Sequence, residues 1–236
     1  SCVAANDNIA PALANVTLNN TVDITTHDDL YGNATFTDQD GDNGSVTFTW
    51  FLNNVAIYNE TIHGLLEGQI ARSNLSNTNL TKGLVINFSA YGNDSSDNST
   101  VVNSQAFTVS NGQPTVAAPI INVSSIISRS NITVNTTYTD VDGDVGNVTI
   151  YIVDSNTPSS VTERHTVNNV ASGGVVVVNF SRDSLTRDAI MVAYANATDA
   201  TNNVAAIEGT NVTILNTLSN VSIPGINNSA PGSDDD

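Results

Sequence analysis

Lysine occurs once in the 236 residues, at Lys82, and cysteine once, at Cys2. Charged residues make up 12% of the chain, about half the roughly 25% of an average soluble domain. The charge present is nearly all of one sign: 6 Lys and Arg against 23 Asp and Glu leave a formal net charge of −17. A field of that sign repels phosphate backbones, which excludes nucleic-acid binding and argues against docking on anionic lipid. A single cysteine excludes an internal disulfide. It leaves Cys2 as an inert thiol, an intermolecular bridge or a lipid anchor; the last is disfavoured because Ser1 precedes it. No apolar run approaches 18 residues. The longest, at 175–178, reads as a strand, so no membrane-spanning helix is expected. A signal-peptide pattern is also missing, and Ser1 is expected to be a mature or processed start.

Catalytic signatures are equally scarce. The histidines His27, His63 and His165 stand alone, with no second histidine at ligand spacing. There is no Gly-x-Ser-x-Gly elbow and no phosphate-cradling glycine pattern. Only four glutamates occur (Glu60, Glu67, Glu163 and Glu208), none in a context that suits a carboxylate pair for glycoside hydrolysis. The chain is expected not to be an enzyme.

Asparagine, by contrast, is abundant. There are 34, and each has a chance of 52 in 236 of meeting Ser or Thr two residues on. Shuffling would therefore leave roughly 7 or 8 acceptor triplets of the Asn-x-Ser/Thr type. The sequence holds 19: Asn15, Asn19, Asn33, Asn43, Asn59, Asn74, Asn79, Asn87, Asn93, Asn98, Asn122, Asn131, Asn135, Asn147, Asn179, Asn196, Asn211, Asn220 and Asn227. Alternation along a strand with an Asn/Thr face also writes Asn-x-Thr. But alternation has no direction, and the reverse triplet, Ser/Thr-x-Asn, occurs only 5 times. The excess is directional, as a glycosyltransferase reading Asn-x-Ser/Thr requires. N-linked glycans on an exported protein are the expectation. They would also supply the solvation that so few charges cannot.

The chain repeats itself. Ala34-Thr-Phe-Thr-Asp-Gln-Asp-Gly-Asp42 returns as Thr136-Thr-Tyr-Thr-Asp-Val-Asp-Gly-Asp144, and a strand pattern follows each copy. Val46, Phe48 and Trp50 alternate with Thr47, Thr49 and Phe51; Val148, Ile150 and Ile152 do the same. Turn signals interrupt such runs every 8–12 residues, and no amphipathic helix stands out. The fold class expected is all-β: two tandem immunoglobulin-like β-sandwich domains of about 100 residues each. The boundaries read as an N-terminal extension at 1–10, a first domain at 11–112, a second at 113–216 and a C-terminal tail at 217–236. Strands are expected at 12–19, 31–37, 45–52, 55–59, 69–74, 84–91 and 101–110, then at 120–126, 132–139, 147–153, 160–167, 175–180, 190–196 and 204–215. Trp50 is expected to plug the first core. Residues 111–119, with two prolines, read as a short stiff linker that sets the domains end to end.

The run Thr37-Asp-Gln-Asp-Gly-Asp followed by Phe48-Thr-Trp-Phe-Leu-Asn-Asn resembles the Ig-like (PKD- and cadherin-like) repeats of large archaeal and bacterial surface proteins. The resemblance covers nearly all of the first domain and the second more loosely, since Ile150-Tyr-Ile-Val replaces the Trp segment. It implies a spacer, an adhesive stalk or a coat or filament subunit.

Asp38, Asp40, Asp42 and Asp140, Asp142, Asp144 are the strongest site candidates. Three carboxylates at alternate positions can converge on one hard cation such as calcium, and the glycine permits the sharp turn. The glutamate that completes an EF-hand is missing: Thr49 and Tyr151 stand at loop position 12. Asp94, Asp97 and Asp199 are candidate extra donors. The same residues also suit a plain solvated turn between strands, and both readings stay open. Taken together, the sequence points to a structural subunit of an extracellular filament or cell-surface coat, a homopolymer assembled head to tail, with strand donation from a tail as one mechanism. Val221 and Ile223 could form such a strand. The alternative is an adhesin or a calcium-stiffened stalk.

Overall fold

A computed structural model describes residues 8–20, 22–123, 125–127 and 130–216. Almost every ordered element is a strand, because Thr, Val and Ile alternate with polar residues through most of the chain and pack well on a pleated surface. In the first domain Ala12–Leu18, Leu30–Thr37 and Ile70–Leu75 form a three-stranded antiparallel sheet. It faces a second sheet in the order Val55–Leu65, Gly44–Leu52, Val85–Asn93, with the short pieces Val102–Asn103 and Phe107–Thr108 both on the last strand. The second domain repeats the plan. Ile120–Ile121, Ile132–Thr139 and Val175–Phe180 form one sheet, joined by Thr115–Val116. Ser125–Ile127, Asn203–Leu215, Ile190–Thr198, Gly146–Asp154 and Val161–Val170 form the other.

Each domain has its own apolar core, and no buried residue belongs to both. The period-2 pattern sets which side chains enter it. In Leu30–Thr37, Leu30, Ala34 and Phe36 point inward and their neighbours do not. Trp50 is fully buried, as expected, between the sheets. Its ring sits 5.1 Å from that of Phe88, and Phe88 sits 5.5 Å from Phe48. Burying each such side chain contributes about 1.5–3 kcal/mol. Gly32 makes room for this cluster: a Cβ there would lie 3.0 Å from Phe88 and 3.1 Å from Trp50.

Four expectations are revised. The strand expected at 55–59 runs on to Leu65. The strand expected at 101–110 is broken, because Ser104 turns inward: its hydroxyl accepts from the Phe88 N–H and donates to the Gln105 carbonyl. The strand expected at 120–126 is also two pieces, because the chain leaves one sheet at Ile121 and joins the other at Ser125. The linker is shorter than 111–119, since Thr115–Val116 already pairs with Tyr138 and Thr139. Among the described residues the only helical elements are single 3-10 turns at Asn77–Asn79 and Arg182–Ser184, each capped by a serine. The strand expected around Val221 and Ile223 lies outside the described residues, as do Cys2, Asn220 and Asn227.

Candidate functional site

The two aspartate turns occupy the leading end of each domain, between the strand that ends at Thr37 or Thr139 and the one that starts at Gly44 or Gly146. Asp140 organises the second turn. It is buried, and its Oδ1 accepts from the backbone N–H groups of Asp142 at 2.8 Å and Asp144 at 3.2 Å. Asp38 does the same for Asp40 and Asp42. The glycine between is required, because Gly41 and Gly143 have φ of +79° and +77°. One carboxylate oxygen of each first aspartate is thus used by the turn itself, which is the backbone reason for the motif.

The other oxygens differ between the two copies. In the second turn, one ligand atom from each of Asp140, Asp142 and Asp144 lies within 4.8 Å of the others, the only such acidic group among the described residues. That arrangement can hold a metal ion and is compatible with calcium. The first turn's three carboxylates do not converge so closely, although Asp38 Oδ2 is buried without a hydrogen-bond partner among the described residues. Tyr138 explains part of the contrast. Its hydroxyl donates to the Asp144 carbonyl at 3.3 Å and reaches Asp140 Oδ2 at 3.5 Å, whereas Phe36 at the matching position has none to offer. Burial, then the charge of Asp140, pushes the Tyr138 hydroxyl up to about 12.

The second turn also builds the junction between the domains. Asp142 Oδ2 accepts from the Gly112 N–H at 2.6 Å, and Asp199 Oδ2 accepts from Asn111 Nδ2 at 2.9 Å. Lys82, reaching over from the first domain, donates to Asp144 Oδ2 at 2.5 Å and to Asn111 Oδ1 at 2.8 Å. The hydrogen bond to Asp144 holds the lysine ammonium above its usual pKa. Asp199 is desolvated, which alone would raise it. Its bonds from Thr201, Asn202 and Asn111 outweigh that and hold it below the usual carboxylate value. Gly112 fits because a side chain there would meet Thr26 Oγ1 at 2.5 Å. His27 Nε2 meets the Gln113 carbonyl at 3.1 Å, and Gln113 Nε2 donates to the Asn203 carbonyl at 2.7 Å.

The same contacts recur one domain earlier. Asn8 Nδ2 donates to Asp94 Oδ2 at 3.0 Å and to Asp97 Oδ2 at 2.9 Å, and the Ile9 N–H donates to Asp40 Oδ2 at 2.6 Å. The backbone bond from Asp97 and the bond from Asn8 draw the Asp94 carboxyl below its usual pKa against a desolvation that raises it. Asp94, Asp97 and Asp199, expected as extra calcium donors, sit at the leading ends. They serve an asparagine from the incoming chain rather than forming a direct ligand shell. Lys82, Asn111 and Asn8 were not anticipated.

The 17 acceptor asparagines within the described residues all lie outside the two cores. Asn15, Asn19, Asn43, Asn59, Asn74, Asn79, Asn98, Asn122, Asn131, Asn147, Asn179 and Asn211 are exposed; Asn33, Asn87, Asn93, Asn135 and Asn196 are half-buried. Several acceptor triplets lie opposite one another in antiparallel register. Asn147 pairs with Thr198 and Thr149 with Asn196; Thr133 pairs with Asn179, Ser45 with Asn93 and Thr17 with Asn33. Asn93 is the most engaged, since its Nδ2 donates to the Asp97 carbonyl and to Asn98 Oδ1. Of the histidines, His165 meets Glu163 Oε1 at 2.7 Å and stacks edge-on against Phe180, 5.0 Å away. No described helix is long and apolar enough to cross a membrane.

No family model and no curated protein matches the sequence. Among solved structures, the chicken interferon gamma receptor alpha chain is similar at a TM-score of 0.43 and 10% identity, over 83% of this chain and 96% of that one. The FN1–FN3 domains of chicken CNTN1 give 0.29 and 10%, over 87% and 68%. Red sea bream transglutaminase gives 0.34 and 12%, over 87% and 31%. The assignment of the chain as two tandem Ig-like sandwiches rests on its own strand order and cores.

Proposed function

We propose that this chain is a non-enzymatic, heavily N-glycosylated structural subunit of an extracellular filament or cell-surface coat, assembled head to tail. The observation that carries the reading is the directional excess of acceptor triplets, 19 forward against 5 reversed. The placement of every described acceptor outside the cores is what glycosylation requires. Two well-packed sandwiches with a tied junction suit a spacer or polymer unit, and a sugar coat suits a surface that carries few charges. The proposed domain boundaries follow the sequence reading, with the junction at Asn111 and Gly112.

Glycopeptide mass spectrometry of native material tests this. Hexose-bearing peptides are expected at most of the 19 asparagines, with the lowest occupancy at Asn93, whose amide is already used twice. Unmodified peptides throughout would end the reading.

A second reading, a calcium-stiffened stalk, draws on the convergence of Asp140, Asp142 and Asp144 at the junction. An ion there would join the two domains through the linker. It would compete with Lys82, which already neutralises part of that charge.

A further inference from the structure

We propose that a second copy of this chain docks on the leading end of the first domain, with Arg187 of one copy bound to Asp42 of the next as Lys82 is bound to Asp144 within the chain. This rests on the head-to-tail reading and goes beyond it by naming the surface and the pair.

The trailing ends of the two domains are built alike. Ser76 caps Asn77–Asn79 and Ser181 caps Arg182–Ser184, each through its hydroxyl. Leu80-Thr81-Lys82 follows the first turn and Leu185-Thr186-Arg187 the second, with both leucines buried. Next come Gly83 and Asp188, at φ of +84° and +58°. The Gly83 N–H donates to the Val109 carbonyl at 2.8 Å, and the Asp188 N–H to the Ile214 carbonyl at 2.9 Å. The Val109 N–H returns to Leu84 and the Ile214 N–H to Ala189, at 2.8 and 2.9 Å. This register makes Arg187 the counterpart of Lys82, and Asn216 the counterpart of Asn111. Arg187 is exposed and makes no ion pair among the described residues.

The leading ends match as well. Asn8 and Ile9 hold Asp94 and Asp40 as Asn111 and Gly112 hold Asp199 and Asp142. Among the described residues, only the cation is absent. Asp42, the counterpart of Asp144, is exposed, and its carboxylate meets no partner among the described residues. Among the described residues, Arg187 at the trailing end of the second domain thus meets no carboxylate, and Asp42 at the leading end of the first meets no cation. A guanidinium suits the exchange, because its planar fork can bind a carboxylate through two parallel hydrogen bonds. Each copy uses both surfaces once, and they lie at different ends of the chain. The contact is therefore heterologous and extends into a filament wherever its rotation does not close.

The test uses the full glycosylated chain in sedimentation and electron microscopy, with melting curves to confirm that each variant is folded. Wild type should form end-to-end oligomers that grow with concentration. Asp42→Arg and Arg187→Asp should each reduce association at least tenfold. The double variant Asp42→Arg/Arg187→Asp should restore long oligomers, and a mixture of the two single variants should do so as well, as alternating copies, because each then meets the opposite charge only on the other variant. If wild type associates and the folded single variants associate equally well, this pairing is overturned while the head-to-tail reading stands. If wild type does not associate at all, both fall.

Discussion

Trp50 shows at the residue scale how polarity is handled inside the first sandwich. Its ring fills the core, and its Nε1 donates to Ser73 Oγ at 2.9 Å. That hydroxyl in turn donates to Glu60 Oε2 at 2.7 Å. The relay carries a buried N–H out to a partly solvated carboxylate. Replacing Ser73 with alanine removes the acceptor and leaves the indole N–H buried and unpaired, at a cost of about 1–3 kcal/mol. Denaturant unfolding of the Ser73→Ala variant should show that loss in the first domain alone; an unchanged midpoint would mean that Trp50 finds water instead. The second domain has Ile152 in the matching position and needs no relay. Trp50 as a core plug was legible in the sequence from alternation. Its partner was not, because Ser73 lies on another sheet and 23 residues away.

The aspartate turns are the element where two chemistries compete. Asp140 Oδ1 serves the turn, while the remaining oxygens converge and are partly claimed by Lys82 and the Gly112 N–H. If calcium binds, it stabilises the second domain by mass action: a hundredfold excess over Kd gives about 2.7 kcal/mol. For a domain of this size that is a rise of more than about 10 °C in Tm. Chelation should reverse the rise, and Lys82→Met should enlarge it by removing the competing cation. A melting curve indifferent to calcium in both proteins would leave the motif as a turn. The turn itself was legible because it occurs twice in one chain. Its use as a junction was not, since the linking bonds join residues 62, 88 and 30 positions apart. Leu80-Thr81-Lys82 against Leu185-Thr186-Arg187 was the one written clue. Regular strands were read correctly, Ile132–Thr139 from period 2 and Val175–Phe180 from its apolar run. The interrupted edge at Val102–Asn103 and Phe107–Thr108 escaped because a serine hydroxyl, not a side-chain pattern, breaks the ladder.

For the whole molecule, two properties set the behaviour: a net charge of −17 and a surface dense in asparagine. At moderate salt copies repel one another once they come within roughly 10 Å, beyond which salt screens the charge, so close association has to come from matched ends rather than from general stickiness. Helical reconstruction of native material bears most directly on this. It should show a filament of repeating two-domain units, joined trailing end to leading end, with branched density rising from most acceptor asparagines. Single particles, or smooth unmodified asparagines along the sheets, would contradict it.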